Sequence, residues 1–438
     1  MYTDDAISTD DARSPGDAIS TDDAISTDDA ISTDDAISTD DAISTDDEGP
    51  MLDVFSQRCA DDPHPVYHDM HDRCPVGREP GMFGGHSVTL SRYDDVLWAL
   101  KHPEVFSSKD VVKIGNDVPL IPLSVDPPDH AKYRRLLDPQ FSPKRMADLE
   151  PEARTLVNEI IDEFAGRGTC DFHEDFATPL PSTIFLALMG LPQDDLPRFL
   201  AWRDDTIRPQ ADTIAEGEQK REAAGKAIEA YFEGKIEEKR AEPDDRLLST
   251  LVHGEVEGRP LTHAELLGTT HLLLLGGLDT VTATLDCMIV FLAQHPERRR
   301  ALVADGSLVA GAVEELLRHQ TPVMMVPRIL AQDFEIGGVQ LRAGDGATLL
   351  IGAANCDRSE FEDASEVRFD REANRHLAFG GGAHRCLGSH LARLELTVAL
   401  EEFHRRVPDY ELAPETTITF SPGIRQAEHL HLRFPVES

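Results

Sequence analysis

Apolar positions recur every third or fourth residue over long stretches of this chain. That spacing predicts amphipathic helices over 93–101, 147–164, 216–240, 262–294 and 309–319. A further helix is predicted after residue 386, where Leu387, Leu391, Leu394 and Val398 fall on one face. Alternation appears in shorter pieces, over 86–90, 334–350 and 430–434, with Gly337-Gly338 and Ala343-Gly344 marking tight turns. The pattern therefore predicts a mainly α, helix-rich domain with small β-sheets at its edges. The stretch 262–294 is the longest. At 1.5 Å per residue it spans about 45 Å, enough to cross a whole domain.

Residues 1–50 follow no such pattern. The unit Asp-Asp-Ala-Ile-Ser-Thr repeats every six residues, most clearly from Asp22 to Asp47. Fifteen Asp and one Glu against one Arg give this segment −15 of the chain's −39, leaving −24 for the rest. So much charge on so few apolar groups predicts disorder, and a period of six matches neither a heptad nor a solenoid repeat. Met51 follows directly, and the expectation is that Met51 is the natural first residue and that 51–438 form one globular domain.

The acidity argues against a nucleic-acid partner and against adsorption to anionic lipid. Six scattered cysteines suggest neither a disulfide framework nor a zinc site. No basic segment followed by an apolar run opens the chain. The apolar run near Leu272–Leu275 is interrupted by His271, Asp279 and Asp286, so it reads as a core helix and not a membrane span. A cytoplasmic, soluble monomer is expected.

Candidate chemistry concentrates in Phe379-Gly380-Gly381-Gly382-Ala383-His384-Arg385-Cys386-Leu387-Gly388. Three glycines let the backbone approach a flat, bulky group, and a cysteine at a helix start is biased toward thiolate. That combination suits the proximal ligand of a haem iron. A lone cysteine more often packs as a small hydrophobe, but the surrounding ten residues argue otherwise.

Three further groups stand out. Gly276-Gly277-Leu278-Asp279-Thr280 lies mid-helix, where each glycine costs about 1 kcal/mol relative to alanine. It reads either as close helix packing or a kink, or as a widened turn with an acid and an alcohol to pass protons. Glu315 and Arg318 share a helix face, which in isolation suggests a solvated surface pair. His130, Arg134, Arg328 and His384 would together neutralise the two propionates of a buried haem.

In these motifs, taken in order along 52–438, the chain resembles the cytochrome P450 superfamily, specifically its soluble bacterial members. The resemblance implies the haem-thiolate fold, haem b as cofactor and dioxygen as co-substrate. It implies Cys386 as axial ligand, and His130, Arg134, Gly276, Arg328, Phe379 and His384 at the cofactor. Asp279 and Thr280 match the pair that delivers protons during oxygen activation. Glu315, Arg318 and Arg371 match a structural lock on the proximal side. Local wording is nearest the camphor-hydroxylating branch, through residues 273–281 and Asp126-Pro127-Pro128. Val118 stands where that branch has a hydrogen-bonding tyrosine, which argues against camphor itself. Cys356 and Arg358 replace the arginine and proline usual near Asn355.

Leu272, Leu275, Val323 and Ile424, with Pro322, Met324 and Met325 nearby, are candidate pocket residues or simply core. An aliphatic pocket fits a terpenoid, a steroid or a similar compact lipophile. The implied activity is a monooxygenase fed by NAD(P)H through a ferredoxin reductase and a ferredoxin. Arg385, Lys132, Arg135 and Arg393 are candidates for the docking patch. A peroxygenase is disfavoured by the intact Asp279-Thr280 pair, and a haem sensor or carrier would have no use for it.

Overall fold

The computed structural model describes residues 54, 56–80, 86–109, 111 and 118–436. The acidic repeat of 1–50 and the proposed start at Met51 lie outside these residues. Ten helices frame the candidate site: α1 (Tyr93–Lys101), α2 (His130–Leu137), α3 (Glu150–Ala165), α4 (Pro179–Met189), α5 (Leu196–Ile207), α6 (Ile214–Ala241), α7 (His263–Leu278), α8 (Thr280–Gln294), α9 (Val309–Gln320) and α10 (Ser389–Arg406). Eight strands matter here: β1 (Val76–Pro80), β2 (His86–Leu90), β3 (Phe106–Ser107), β4 (Thr169–Asp171), β5 (Val326–Leu330), β6 (Gly346–Leu349), β7 (Glu411–Leu412) and β8 (His431–Arg433). The mainly helical architecture with small sheets matches the expectation from periodicity.

The larger sheet runs β1-β2-β6-β5-β3. Its β2–β6 pair is parallel, with Ala347 opposite Val88 and Leu349 opposite Leu90, while the other neighbours are antiparallel. Val88, Leu90 and Leu349 are fully buried beneath it, together with Val96 of α1. The smaller sheet, β7-β8-β4, ties the C-terminal strand to the segment after α3, with His431 opposite Asp171. The predicted strand over 334–350 resolves into a hairpin, Phe334–Ile336 with Val339–Leu341, followed by β6.

The centre of the molecule is the α7–α8 line. Thr262 caps α7 reciprocally with Glu265, the Thr hydroxyl accepting the Glu265 N–H and the carboxylate accepting the Thr262 N–H. Arg259 and Tyr133 hold the same carboxylate at 2.7 Å, so the helix start is anchored to α2. Every residue of α8 from 281 to 292 is buried. The segment from His263 to Gln294 is long and apolar enough to cross a membrane, but 78% of its most apolar window is buried within the molecule. Burial on all sides is the signature of a core helix.

Beside it, Phe172, Phe176 and Phe403 meet at centroid distances of 5.0–5.5 Å. Each buried ring contributes about 1.5–3 kcal/mol of transfer free energy. Arg154 of α3 then bonds Glu401 and Glu402 of α10, at 2.8 and 2.5 Å, fixing the helix that follows the cysteine loop.

Candidate active site

Gly380 and Gly382 adopt φ of +67° and +64°, a region that glycine enters without strain. A Cβ on Gly382 would run into the carbonyl oxygen of Leu100, so the loop lies directly on the end of α1. The Cys386 N–H donates to the Phe379 carbonyl at 2.8 Å and closes the loop. Arg393 of α10 lies over the Phe379 ring at 4.4 Å and forms a two-pronged pair with Glu314 of α9. Helices on three sides therefore fix the loop, and its thiol is left exposed while four of the other cysteines are buried.

The helix start does less for this thiol than expected. α10 begins at Ser389, and the Gly388 N–H is the helix-cap group that acts on the sulfur. Burial in the protein walls pushes the thiol up, against that N–H and the guanidiniums of Arg134, Arg385 and Arg393. The residue as a whole is exposed, yet the surrounding walls remove much of the thiol's hydration. A metal cation bonded to sulfur would reverse this balance.

The groups expected at the propionates come together around the loop. The ring of His384 tilts against that of His130 with centroids 4.4 Å apart. Arg134, one turn along α2, donates to the Arg385 carbonyl at 2.8 Å and to Asp138 at 2.7 Å. Its guanidinium thus braces the loop backbone, a role the sequence did not suggest. Burial, reinforced by His130 and Arg328, pulls the His384 imidazole down to about 3. Burial also lowers His130, and it brings Arg328 down to about 10. The His384 Nε2 is buried without a hydrogen-bond partner. Arg328 donates to the carbonyl of its own neighbour Pro327, at 2.7 Å. Asp126 already supplies one anion here, its carboxylate 4.0 Å from His384 Nε2 and partly offsetting the desolvation of Arg328, so three nitrogen groups face one carboxylate and can take further negative charge. These residues fit a haem, whose carboxylates would meet the three nitrogen groups while its iron meets the exposed sulfur.

The mid-helix glycines have different reasons for being there. A Cβ on Gly277 would lie 2.7 Å from the Phe185 ring of α4, so this glycine permits close helix packing. Gly276 faces open space. Between them and α8 the single predicted helix breaks at Asp279, whose φ and ψ are −117° and −39°. The Thr280 hydroxyl donates to the Gly276 carbonyl at 3.1 Å, beside an exposed glycine. Asp279 itself is fully buried and held by Arg208, which donates to both carboxylate oxygens at 3.0 and 2.5 Å, with Arg203 at 4.0 Å. The sequence missed these arginines. They lie on and just after α5, about seventy residues upstream, with no spacing to mark them.

Glu315 and Arg318 are not a surface pair. Both side chains are fully buried, bonded through two N–H···O contacts of 2.8–2.9 Å. Arg371 adds a bond of 2.9 Å to the same carboxylate, Asn374 one of 3.1 Å, and the Arg368 N–H one of 2.9 Å. Arg318 also donates to the carbonyls of Asn355, Ala364 and Glu366. Burial alone would raise the Glu315 carboxyl, but the two arginines hold it below its ordinary range.

Of the pocket candidates, Val323 and Ile424 face each other in an isolated antiparallel bridge. Leu275 is buried and Leu272 half-buried on α7. Met324 belongs instead to a separate core cluster with Tyr67, Met70 and Cys356. Val118 sits against Gly268 of α7, where a Cβ would come within 3.3 Å of it. Cys356 is buried with its sulfur 3.5 Å from His64 Nδ1. On the candidate docking face Arg385 and Arg135 are exposed, Lys132 pairs with Asp129, and Arg393 is neutralised by Glu314.

A sequence profile of the cytochrome P450 family matches residues 57–407. The chain is 37% identical to a steroid C26-monooxygenase of Mycolicibacterium smegmatis, over 77% of this chain and 84% of that protein. It is 35% identical to a mycinamicin IV hydroxylase/epoxidase of Micromonospora griseorubida, over 82% and 91%. Among solved structures, CYP109E1 from Bacillus megaterium in complex with testosterone superposes with a TM-score of 0.80 at 29% identity, covering 87% of this chain and 100% of that one. The cytochrome P450 PksS of the Bacillus subtilis 168 bacillaene polyketide synthase gives 0.80 at 30%, covering 87% and 99%.

Proposed function

The chain belongs to the cytochrome P450 family and is an oxidoreductase of the monooxygenase type, and from that premise we propose that it hydroxylates a compact lipophile, with steroids as the first class to test and terpenoids as the second. The proposed cofactor is haem b held by Cys386, the co-substrate is dioxygen, and the electrons come from NAD(P)H through a ferredoxin reductase and a ferredoxin. When bound, haem supplies an iron that activates dioxygen so that one oxygen atom enters the substrate and the other leaves as water.

Every other contribution belongs to the chain. Cys386 offers the sulfur ligand at the end of the loop that its own N–H closes onto the Phe379 carbonyl. His130, His384 and Arg328 neutralise the cofactor's carboxylates, and Arg134 holds the loop in register through the Arg385 carbonyl. Glu315, Arg318 and Arg371 fix the segment leading into that loop. The Thr280 hydroxyl, oriented by the Gly276 carbonyl, holds a proton at Oγ1 beside the exposed Gly276. Asp279 is poised to resupply that hydroxyl once its carboxylate parts from Arg208, which in this state ties it back. Leu272, Leu275, Val323 and Ile424 line an aliphatic enclosure that rewards shape and apolar area more than polar anchoring. Exposed Arg385 and Arg135 support docking of an acidic electron carrier.

The observation that carries this reading is the buried Arg328 with two neutral imidazoles next to an exposed thiol, an arrangement that makes sense when a metal-bearing dianion completes it. Support for steroids comes from two relatives, one named for that chemistry and one solved with testosterone. The test is a titration of the ferric protein with testosterone and related steroids, terpenes and fatty acids, followed by turnover with NADH and a ferredoxin system. A steroid-induced low-to-high-spin shift with product formed in proportion to NADH is expected. Absence of any shift with steroids and terpenes, or NADH oxidation yielding only hydrogen peroxide, overturns the substrate proposal.

A further inference from the structure

Far along the chain from the cysteine loop, His429 and His431 flank Leu430 at the entry to β8. Alternation puts the two imidazoles on one side of the strand and Leu430, fully buried, on the other. Across the ladder His431 pairs in register with Asp171 at the end of β4. The Asp171 Oδ2 lies 3.1 Å from His429 Nδ1 and 3.7 Å from His431 Nδ1. The two rings are parallel within 5°, with centroids 5.7 Å apart. Donor atoms of all three residues fall within 4.8 Å of one another.

We propose that Asp171, His429 and His431 form a binding site for a divalent transition metal such as Zn²⁺, with three protein ligands and the remaining position open to water. Bonds of about 2.1 Å to the three atoms convert the two measured separations into ligand–metal–ligand angles of about 95° and about 125°, both within the range a zinc ion accepts. Two imidazoles and one carboxylate suit Zn²⁺, Ni²⁺ or Cu²⁺ and not Mg²⁺ or Ca²⁺, which prefer all-oxygen shells. The carboxylate is preorganised: Oδ1 accepts the backbone N–H groups of Leu430 and His173 at 3.0 and 3.2 Å, leaving Oδ2 to face the imidazoles. Burial alone would raise the Asp171 carboxyl, but the Leu430 N–H and the two imidazoles keep it below its ordinary range, ready as an anionic ligand. The neighbouring cation Arg167 is engaged by Asp175 and does not compete. Because His429 follows the turn that carries Ile424, which bridges Val323, a metal here would clamp that turn to β4 at the edge of the proposed substrate enclosure.

The experiment is a Zn²⁺ competition titration of the haem-loaded full chain, prepared without an affinity tag, together with Cu²⁺ electron paramagnetic resonance. One tight equivalent of Zn²⁺ per chain is expected. His429→Ala and His431→Ala should each weaken it by at least about tenfold, since even loss of an outer-shell partner costs that much. The Cu²⁺ spectrum should show nitrogen coupling that disappears in the double variant. Both histidines are exposed, so the haem absorbance of the variants should stay unchanged and report an intact fold. Zn²⁺ binding of equal strength in the double variant would assign the ion to other carboxylates, including the acidic repeat, and overturn the proposal. A Cu²⁺ signal without nitrogen coupling, or no tight equivalent at all, would overturn it too.

Discussion

Arg328 makes an argument about sign. Its guanidinium is buried, is held below its ordinary range by desolvation and bonds a neighbouring carbonyl. In the haem-free protein that is a liability, because the Asp126 carboxylate offsets only part of a desolvation cost of several kcal/mol. Arg328→Ala is therefore expected to leave the apoprotein as stable as before, or more so, while haem dissociates from the loaded protein at least tenfold faster. Apomyoglobin capture of released haem measures the second effect and thermal melting the first. A variant that weakens both states equally would mean the arginine merely fills the core. Thr280 tests the opposite kind of role, since its hydroxyl bonds one carbonyl. Thr280→Ala should preserve the substrate-induced spin shift but divert reducing equivalents to hydrogen peroxide, a general acid–base loss of about 10²-fold in coupled product. The residue types at both positions could be read from the sequence. Their partners could not: Asp279 is tied to Arg208 and Arg203 by folding α5 back over the α7–α8 kink, and no local pattern encodes that contact.

The α7–α8 line shows how one pattern can hide two elements. Apolar spacing continues through Gly276–Thr280, so periodicity predicts one helix, whereas the backbone breaks at Asp279, where the Thr280 hydroxyl donates to the Gly276 carbonyl. The glycine pair then separates by environment. Gly277→Ala should destabilise the fold, because overpacking Phe185 costs about 1–3 kcal/mol against a helix-propensity gain of about 1 kcal/mol. Gly276→Ala meets no neighbour and should gain most of that propensity, raising the melting temperature. Melting curves of the two single variants give opposite shifts if the faces are as described. Val309–Gln320 was legible as a helix, yet its Glu315–Arg318 pair read from spacing alone as solvated. Spacing reports which side chains share a face, not what covers that face, and here the segment 362–374 covers it. Glu315→Ala leaves two buried guanidiniums without their carboxylate and should cost about 3–5 kcal/mol, with haem incorporation lost first.

At the scale of the whole molecule, charge separates the acidic repeat from the domain. The family profile begins at residue 57, and CYP109E1 aligns over its entire length within 87% of this chain. Deleting 1–50 should therefore leave the haem spectrum and melting temperature unchanged while removing a net charge of −15. The domain's own response to acid follows from its buried imidazoles. Burial pulls His271 down to about 4, and burial pulls His404 down to about 4 despite its bond to the Leu400 carbonyl. Both are neutral in the fold, whereas in the unfolded chain they bind a proton below about pH 6.5. The unfolded state thus holds more protons as pH falls, and stability present above that value drains away by about 1.4 kcal/mol per unit for each histidine. Carried down toward their folded values, the pair removes on the order of several kcal/mol, a sizeable part of a typical total of about 5–15 kcal/mol. Glu314, burial-raised but held at about 2 by Arg393 and His376, and Glu402, held at about 2 mainly by Arg154 and Arg405 against burial, lose their stabilisation only on passing below about 4.5. Acid should therefore unfold the protein through its histidines before its carboxylate pairs titrate. Melting temperatures measured from about pH 7 to about pH 5 should fall, and His404→Gln, which keeps hydrogen-bonding capacity without the proton, should flatten that fall. A wild-type melting temperature that stays level across this interval would mean that these imidazoles are charged, or exposed, in the folded protein.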